Sequence, residues 1–396
     1  MTKRGVEVMN NQRGKVWKYL LIAFLLLGFV VQSTVVHGAE RLVKNVIFLV
    51  GDGMGFNQIT AARLSQEGSA YSRLHLDTMP YTGLSLNFSQ NNLVTDSAAA
   101  ATALATGFRT DNGRLATLPD GTKVASLMLR AKEQGMRIGI VTTAKVVDAT
   151  PAAFLVNADL RSLDKQIAAD MLQVEPDVLL GGGGDAFGVN PFTREPKKGS
   201  LLAQALDEGY TYVYDRDGLL DLEITADLRL IGLFMGGGMS FEVTRFPSEP
   251  ALTEMTTRAL ELVAQDDQGF FLLVEGARID TAGHTNSVDE MIEDLLVFDQ
   301  AVGLALDFAK EHPGTLVLVT ADHETGGFAV TSGTPEGERV NYGWLSTGHT
   351  AAMVPIYAFG PGAEQFTGTL QITEIPLRLA QLMGIGNFPA VIPAHE

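Results

Sequence analysis

The chain has 396 residues and no cysteine, so it can form no disulfide framework and perform no thiolate chemistry. Its formal net charge is −17. This charge argues against a basic nucleic-acid-binding surface, and we expect no nucleic-acid partner. With 46% hydrophobic residues, the chain can bury a large core, and its length allows one large α/β domain.

The N-terminal segment differs in composition from the rest of the chain. Residues 1–18 are basic, an apolar stretch begins at Tyr19, and small residues follow up to Ala39. This order predicts a secretory signal peptide at residues 1–39. The apolar run is only slightly short of a membrane span, so an uncleaved N-terminal anchor is the alternative. We expect residues 40–396 to be exported, periplasmic or secreted, without stable membrane association once the signal is cleaved.

The first predicted strand ends in a carboxylate surrounded by glycines. Val46–Val50 is continuously apolar, which is typical of a strand covered on both faces, as in parallel sheets. Asp52 follows in "VGDGMG", where glycines allow a tight turn and the close approach of a ligand. An Asp-Gly pair alone is typical of a simple turn. The interpretation of Asp52 therefore depends on whether other acidic residues lie beside it.

A serine lies at the predicted start of an alanine-rich helix. The stretch "LVTDSAAAATALATG" predicts a helix that begins at Asp96–Ser97 and ends at Gly107. Ser97 would lie in the first turn, where free N–H groups and the helix dipole favour an anion. Spacing alone favours a helix-cap residue. A neighbouring metal cluster would instead make Ser97 a candidate nucleophile, since a cation can stabilise its alkoxide.

Strand-like and helical stretches alternate along the rest of the chain. After "VIFLV", the apolar runs are "RIGIVTT", "DVLLGGG", "FFLLVEG", "TLVLVTAD" and "VPIYAFG". This alternation predicts an α/β fold with a largely parallel central sheet and helices on both faces. Residues 287–290 predict a capping box for a helix that ends at Pro313 and Gly314. The less regular segment of about 185–246 is the expected place for excursions from the core.

Three of the strand-like runs end in acidic residues. "VIFLVGD" ends at Asp52, "FFLLVEGARID" contains Glu275 and Asp280, and "TLVLVTADH" contains Asp322. If these strands are neighbours, the four carboxylates meet at the edge where open α/β sheets bind ligands. Four anions in one cleft require cations or raised pKa values. A divalent metal cluster is the most direct interpretation.

Three histidines accompany these acidic residues. His284 lies four residues after Asp280, His323 directly follows Asp322, and His349 lies in the Gly-flanked stretch "STGHTA". Aspartate and histidine ligands suit zinc, whereas carboxylates and hydroxyls suit magnesium. Each histidine alone is compatible with an ordinary core or surface position. Together, beside the acids at strand ends, they favour a metal centre.

With these motifs in this order, the chain resembles the metal-dependent alkaline phosphatases. The matching stretches are "VGDGMG", "VTDSAAAATALATG", "DATPAAF", "VEGARIDTAGH", "TADHETGG" and "GHT", and they extend from Asn45 to about Gly360. The resemblance implies an α/β three-layer sandwich with its catalytic domain at residues 40–396. It also implies two Zn²⁺ and one Mg²⁺ per subunit and, because relatives are commonly homodimers, a homodimer.

The resemblance also implies a role for each candidate residue. Ser97 would be the phosphorylated nucleophile. Arg161, thirteen residues beyond Asp148, would hold the phosphate, because a planar guanidinium can bind two phosphoryl oxygens. The ligands would form three sets: for one zinc, Asp280, His284 and His349; for the second zinc, Asp52, Asp322 and His323, with Asp52 bridging onward to magnesium; and for magnesium or its waters, Asp148, Thr150 and Glu275.

Three features depart from the family pattern. Thr281 follows the zinc aspartate where many relatives have Lys, His or Trp, a departure that affects the second basic contact to phosphate and the tuning of the magnesium site. The segment between His323 and His349 is short, so the dimer-capping insertion of larger members is reduced. The disulfides of some relatives cannot form in a chain without cysteine.

The functional hypothesis is hydrolysis of phosphate monoesters by double displacement through a phosphoserine, with release of inorganic phosphate. A phosphodiesterase or a sulfatase on the same core is the alternative enzyme. The magnesium set and Arg161 favour the monoesterase, because a monoester carries more charge. An exported metal-binding or phosphate-binding protein is the alternative from another class, but it leaves Ser97 unexplained.

Overall fold

The structure is a computed structural model that describes residues 42–66 and 70–393. The predicted signal peptide at residues 1–39 lies outside the described residues. The strands are β1 (Asn45–Gly51), β2 (Tyr81–Leu86), β3 (Val124–Ala125), β4 (Arg137–Lys145), β5 (Val178–Gly182), β6 (Thr211–Val213), β7 (Leu230–Leu233), β8 (Phe270–Gly276), β9 (Thr315–Thr320), β10 (Glu324–Thr325), β11 (Ala329–Ser332), β12 (Asn341–Gly343), β13 (His349–Thr350), β14 (Val354–Phe359), β15 (Gly368–Gln371) and β16 (Ala390–Val391).

The helices connect these strands along the chain. They are α1 (Phe56–Ser65), α2 (Ser97–Thr106), α3 (Leu127–Glu133), α4 (Ala149–Leu155), α5 (Asp164–Val174), α6 (Gly184–Phe187), α7 (Leu201–Asp207), α8 (Arg216–Leu220), α9 (Leu252–Val263), α10 (Arg278–Thr285), α11 (Val288–Glu311) and α12 (Glu374–Leu382). Among residues 42–66 and 70–393, no helix combines the length and the apolar character needed to cross a membrane.

The main sheet has ten strands in the order β15-β2-β14-β9-β1-β8-β4-β5-β7-β6. Its pairings are parallel except those of β14, which runs antiparallel to both β9 and β2. All six predicted apolar runs form strands of this sheet, which confirms the predicted α/β fold. The segment of about 185–246 adds β6 and β7 to one end of the sheet, strands that the sequence did not single out.

Both faces of the sheet are covered, which explains the apolar run of the first strand. Phe48 and its alternate neighbours in β1 pack on one face with α2, α4 and α5. Ile47 and Leu49 pack on the other face with α1, α9 and α11. Successive strand residues point to opposite faces. Because each face meets helices, both sets are apolar, and the architecture has three layers.

Two predicted helices have the expected ends. Helix α2 begins at Ser97 and ends before Gly107, which has a positive φ of 77°. Helix α11 begins just after Ser287, as predicted, and ends before Pro313. The Ser287 hydroxyl, however, makes no capping hydrogen bond, so the predicted capping box does not form.

Candidate active site

The strand register places acidic side chains at one edge of the sheet. Strand β1 lies between β8 and β9, and Val50 is level with Glu275 on one side and Thr320 on the other. Asp52 lies two residues after Val50, and Asp322 lies two residues after Thr320. All three carboxyls therefore reach the carboxyl edge of neighbouring parallel strands, where ligands bind in open α/β sheets.

One cluster of ligand atoms consists of Asp52, Asp322 and His323. Nε2 of His323 lies 3.1 Å from Oδ2 of Asp322 and 3.5 Å from Oδ1 of Asp52. The three side chains are buried, and their ligand atoms lie within 4.8 Å of one another. Backbone N–H groups of Gly53 and His323 donate to Asp322 Oδ1 at 3.2 and 2.9 Å. The residues predicted for the second zinc therefore lie together.

A second cluster consists of Asp280, His284 and His349. His284 Nε2 lies 3.1 Å from Asp280 Oδ2, His349 Nε2 lies 3.5 Å from Asp280 Oδ1, and the two Nε2 atoms are 3.2 Å apart. The Nδ1 atoms of His284 and His349 donate to the carbonyls of Thr347 and Thr95 at 2.7 and 2.9 Å. These hydrogen bonds orient both rings with Nε2 toward the cluster, as in metal sites.

Thr325 connects the two clusters, although its residue type and sequence position do not predict this role. Strand β10 pairs antiparallel with β13, and this pairing places Thr325 opposite His349. The Thr325 hydroxyl donates to Asp280 Oδ1 and lies 3.3 Å from His323 Nδ1. Ligand atoms of Asp280, His323 and His349 also lie within 4.8 Å of one another. The motif "TADHETGG" contains Thr325, but only the strand pairing shows its contacts.

Ser97 lies at the first turn of α2, beside the first cluster. Its side chain is buried, and its Oγ lies 3.2 Å from Nε2 of His323. Asp96 is the N-cap residue, and its Oδ1 accepts a hydrogen bond of 2.9 Å from the Ala99 N–H. Asp96 therefore caps the helix, and the Ser97 hydroxyl remains directed toward the ligand cluster.

Arg161 is held by two carboxylates next to the serine. Its Nη1 lies 3.2 Å from Oδ2 of Asp96, and its Nη2 lies 3.1 Å from Oδ1 of Asp148. Asp96 Oδ2 also accepts the Gly113 N–H at 3.0 Å. These contacts fix the guanidinium plane at the rim of the same cavity as Ser97. Sequence spacing alone would have placed Arg161 in solvent.

The residues predicted for magnesium lie at the next strand ends. Asp148 is the N-cap residue of α4, and its Oδ1 accepts the Ala149 N–H at 2.8 Å. Glu275 is buried and accepts a hydrogen bond from Thr142, its neighbour in the register of β4 and β8. Thr150, in α4, is also buried. Thr142 is not recognisable from the sequence, because its contact with Glu275 depends on the strand register.

These elements enclose a cavity of about 160 Å³. The predicted site residues in its wall are Asp52, Ser97, Asp148, Thr150, Arg161, Glu275 and Asp280. Asp322, His284, His323 and His349 belong to the adjoining clusters. Thr281 also lines the cavity, as do two cationic side chains that were not predicted from the sequence, those of Lys145 and Arg278.

Burial and like charges raise the pKa values of two carboxyls in this site. Burial, with a further contribution from Asp148, raises the pKa of Glu275 to about 8. Burial and the neighbouring Asp322 raise the pKa of Asp52 well above its ordinary value. Burial also disfavours ionised Asp322, but His323 outweighs this effect and lowers its pKa. The site therefore holds more acidic groups than can ionise together without added positive charge.

The donor atoms fit divalent cations. Asp52 Oδ1 and Thr150 Oγ1 are buried and, within residues 42–66 and 70–393, have no hydrogen-bond partner. Buried polar atoms without partners are rare in folded proteins. Cations would bind these oxygens and neutralise the clustered carboxyls. The aspartate and histidine donors suit zinc, and the carboxyl and hydroxyl donors suit magnesium.

Comparison with known proteins identifies a family that the site geometry fits. The family model described as alkaline phosphatase matches residues 43–337. Alkaline phosphatase 3 of Bacillus subtilis is 30% identical over 418 residues, covering 85% of this chain and 88% of the relative. Streptomycin-6-phosphate phosphatase of Streptomyces griseus is 35% identical over 401 residues, covering 84% of this chain and 88% of the relative.

Solved structures agree with this match. The alkaline phosphatase of the Antarctic bacterium TAB5 has a TM-score of 0.76 at 30% identity, covering 87% of this chain and 99% of that one. A TAB5 mutant with magnesium bound in its M3 site has a TM-score of 0.77 at 30% identity, covering 86% and 98%. The chain therefore belongs to the alkaline phosphatase family and is an enzyme that hydrolyses phosphate monoesters.

Proposed function

We propose that the enzyme hydrolyses monoesters through a phosphoserine at Ser97. The observation that carries this proposal is the position of the Ser97 hydroxyl, buried at a helix N-terminus and 3.2 Å from His323 Nε2. The hydroxyl lines the same cavity as Arg161, so an anion bound there would meet a nucleophile and a guanidinium together. Metal binding alone would need no hydroxyl in this place.

We infer that the site takes two zinc ions and one magnesium ion. One zinc would be held by Asp280, His284 and His349, and the second by Asp52, Asp322 and His323. Asp148, Thr150, Glu275 and bridging Asp52 would hold magnesium. The unpartnered oxygens of Asp52 and Thr150 support these assignments. Bound cations would neutralise the charge on the phosphoryl group and on the oxygens between which it moves.

Hydrolysis then proceeds by two in-line displacements at phosphorus, in which the residues of the chain have separate roles. The Ser97 hydroxyl releases its proton to solvent, and Oγ bonds to phosphorus as the bond from phosphorus to the ester oxygen breaks. The departing alkoxide takes a proton from water and leaves as the alcohol. A water molecule next loses a proton to solvent and bonds to phosphorus as the bond from phosphorus to Ser97 Oγ breaks. Oγ takes up a proton, which restores the serine, and inorganic phosphate is released. Arg161 binds two phosphoryl oxygens throughout, in the orientation set by Asp96 and Asp148. Asp96 thus acts through the arginine, and Asp148 does so in addition to its proposed contact with magnesium.

The remaining features of the proposal rest on sequence and family. The basic, apolar and small-residue order of residues 1–39 supports a signal peptide and an exported enzyme, periplasmic or secreted. The family resemblance supports a homodimer. Metal analysis of the purified protein tests the metal content, and its mass in solution tests the dimer.

The Ser97→Ala variant tests the nucleophile. We expect turnover of p-nitrophenyl phosphate to fall on the order of 10³-fold or more, because the group that bonds to phosphorus is lost. Zinc and magnesium contents should stay at wild-type values. Acid quenching of the wild-type enzyme with radiolabelled phosphate should trap label on a peptide that contains Ser97. Wild-type turnover in the variant, or no trapped label, would refute the phosphoserine.

Substrate comparison separates the monoesterase from a phosphodiesterase. We expect p-nitrophenyl phosphate to be hydrolysed far faster than its bis ester, because Arg161 and the cation ligands suit a dianionic group. Faster hydrolysis of the bis ester would contradict the proposal.

A further inference from the structure

The active-site cavity contains a cation that the proposed function does not use. Arg278 is the first residue of α10, and it lines the cavity together with Thr281. Residues three apart on a helix are neighbours on one face. Because the Thr281 side chain is short and uncharged, the arginine is the cationic group on this wall of the cavity.

Arg278 differs from the other two cations in the cavity wall, which already have partners. Arg161 contacts two carboxylates, and Lys145 Nζ lies 2.7 Å from Oδ2 of Asp164. Over the described part of the chain, no ion pair or hydrogen bond of Arg278 is found, and its Nε is buried without a partner. The carboxyls of Asp294 and Glu249 act on its charge through space, without a hydrogen bond or ion pair to the guanidinium.

The guanidinium of Arg278 is nevertheless held in place. Its Cζ lies 4.5 Å from the centre of the Phe241 ring, which is a cation–π contact. Gly238, which also lines the cavity, lies beside it, and a Cβ there would be at an ordinary contact distance of 3.6 Å from Nη1. Because the group is already ordered, binding an anion costs little additional side-chain entropy.

We propose that Arg278 is a second substrate-binding residue, which donates hydrogen bonds to a phosphoryl oxygen that Arg161 does not contact. A phosphate monoester dianion has three nonbridging oxygens, and one guanidinium binds at most two of them bidentately. Arg278 retains its charge and offers unused donors in the same cavity. This inference rests on the proposed function and adds a binding residue to it.

The test compares Arg278→Met with a matched control. Methionine keeps an apolar stem against Phe241 and removes the charge. Arg229 also stacks on an aromatic ring, with its Cζ 4.4 Å from the Tyr210 ring centre, but it does not line the cavity. It additionally pairs with Glu175 and donates to the Glu208 carbonyl, so its substitution removes at least as many contacts. Arg229→Met therefore controls for the loss of a stacked arginine. Both variants and the wild type are studied as metal-loaded enzymes.

Calorimetric titration with inorganic phosphate is the first measurement. Arg278→Met should weaken phosphate binding roughly tenfold, since hydrogen bonds to charged groups are among the stronger ones. KM for p-nitrophenyl phosphate should rise by a similar factor, and kcat should change less. Arg229→Met should match the wild type in both measurements, and zinc and magnesium contents should be equal in all three proteins.

Unchanged phosphate affinity in Arg278→Met would overturn the inference, and so would a loss of affinity that follows loss of metal. If Arg278→Met does not fold, the phosphate titration is carried out on Arg278→Lys instead. Lysine keeps the charge but loses the planar fork, so phosphate binding should weaken by a smaller factor, and unchanged binding would refute the role. A wild-type enzyme that neither binds phosphate nor hydrolyses the monoester would instead refute the proposed function.

Discussion

Thr150 provides a test of metal binding at a single buried hydroxyl. Its Oγ1 is buried, and no hydrogen-bond partner for it occurs among the described residues. Thr150→Val should lower magnesium affinity at least roughly tenfold, because the proposed ligand atom is removed. The free energy of unfolding of the metal-free protein should change by less than about 1 kcal/mol, because the hydroxyl has no well-formed hydrogen bond to lose, only a contact that favours ionised Glu275. Magnesium titration and urea unfolding measure the two effects.

Thr256→Val is the matched control for this substitution. The Thr256 hydroxyl is equally buried, but it donates to the Leu252 carbonyl at 2.7 Å within α9. This control should lower the free energy of unfolding by about 1 kcal/mol and leave magnesium affinity unchanged. Equal magnesium affinity in Thr150→Val and the wild type would remove Thr150 from the ligand set.

Candidate ligands were predictable from the sequence where a carboxylate directly follows an apolar strand. Asp52 and Asp322 follow apolar strands directly, and neighbouring parallel strands end at one edge, so their meeting follows from the pattern. Thr142 and Thr325 are threonines, a residue type that does not by itself indicate an active site. Their contacts depend on the register of β4 with β8 and on the pairing of β10 with β13, which hydrophobic periodicity does not specify.

The turn after β1 links the fold of that element to the site. Gly53 has a φ of 73°, and a Cβ at this position would lie 2.8 Å from the Cα of Asp280 and from Oγ1 of Thr325. Gly53→Ala should lower the free energy of unfolding by on the order of 2 to 4 kcal/mol, through an unfavourable φ and a collision. Zinc content should also fall, because the collision displaces a proposed ligand. Urea unfolding and metal analysis check both effects.

Gly113→Ala separates the collision from the backbone effect. Gly113 has a φ of 89°, and a Cβ there would meet nothing within 4 Å. This variant should lose only about 1 to 2 kcal/mol, the cost of the left-handed backbone, and keep its zinc. If both variants lose the same stability and keep their metal, the close approach of Gly53 to Asp280 has no functional consequence.

Elements were predictable where one local pattern dominates. The buried strands appear as long apolar runs, and the Asp96 and Gly107 caps define α2 on both sides. Strands β6 and β7 were not singled out, because they are short and lie in a segment with few periodic signals. The Ser287 backbone is extended, as is usual for an N-cap residue, but its hydroxyl makes no capping hydrogen bond, which the sequence motif alone does not determine.

Two buried aspartates of α11, Asp294 and Asp299, bind backbone N–H groups of segments that are distant in sequence. They thereby hold these segments against the helix, which packs on one face of the sheet. Asp299 accepts the N–H groups of His75 and Leu76 at 2.8 and 2.9 Å. Asp294 accepts the Glu242 N–H at 3.1 Å. Burial raises the pKa of Asp299. These contacts satisfy loop N–H groups, but each buries a carboxyl whose ionisation is unfavourable, so stability depends on pH.

Asp294 should give the clearest effect of this kind. Burial raises its pKa to about 7, against an ordinary value of 3.8, although the Glu242 N–H and Arg278 oppose the increase. Between about pH 4 and 7 the folded state keeps the proton and the unfolded state has lost it. The stabilising contribution of Asp294 is therefore complete below about pH 4 and is lost as the pH rises to about 7.

The Asp294→Asn variant measures this contribution, since asparagine cannot ionise and still accepts the Glu242 N–H. The free energy of unfolding of the wild type minus that of the variant should fall by up to about 4 kcal/mol from pH 4 to 7 and stay constant above. Urea unfolding at several pH values measures it. Asp307→Asn is the control on the same helix. The hydrogen bond from Lys310 lowers the pKa of Asp307, so this variant should show no such fall. A constant difference for Asp294→Asn would contradict the prediction and would mean that α11 buries an ionised carboxylate.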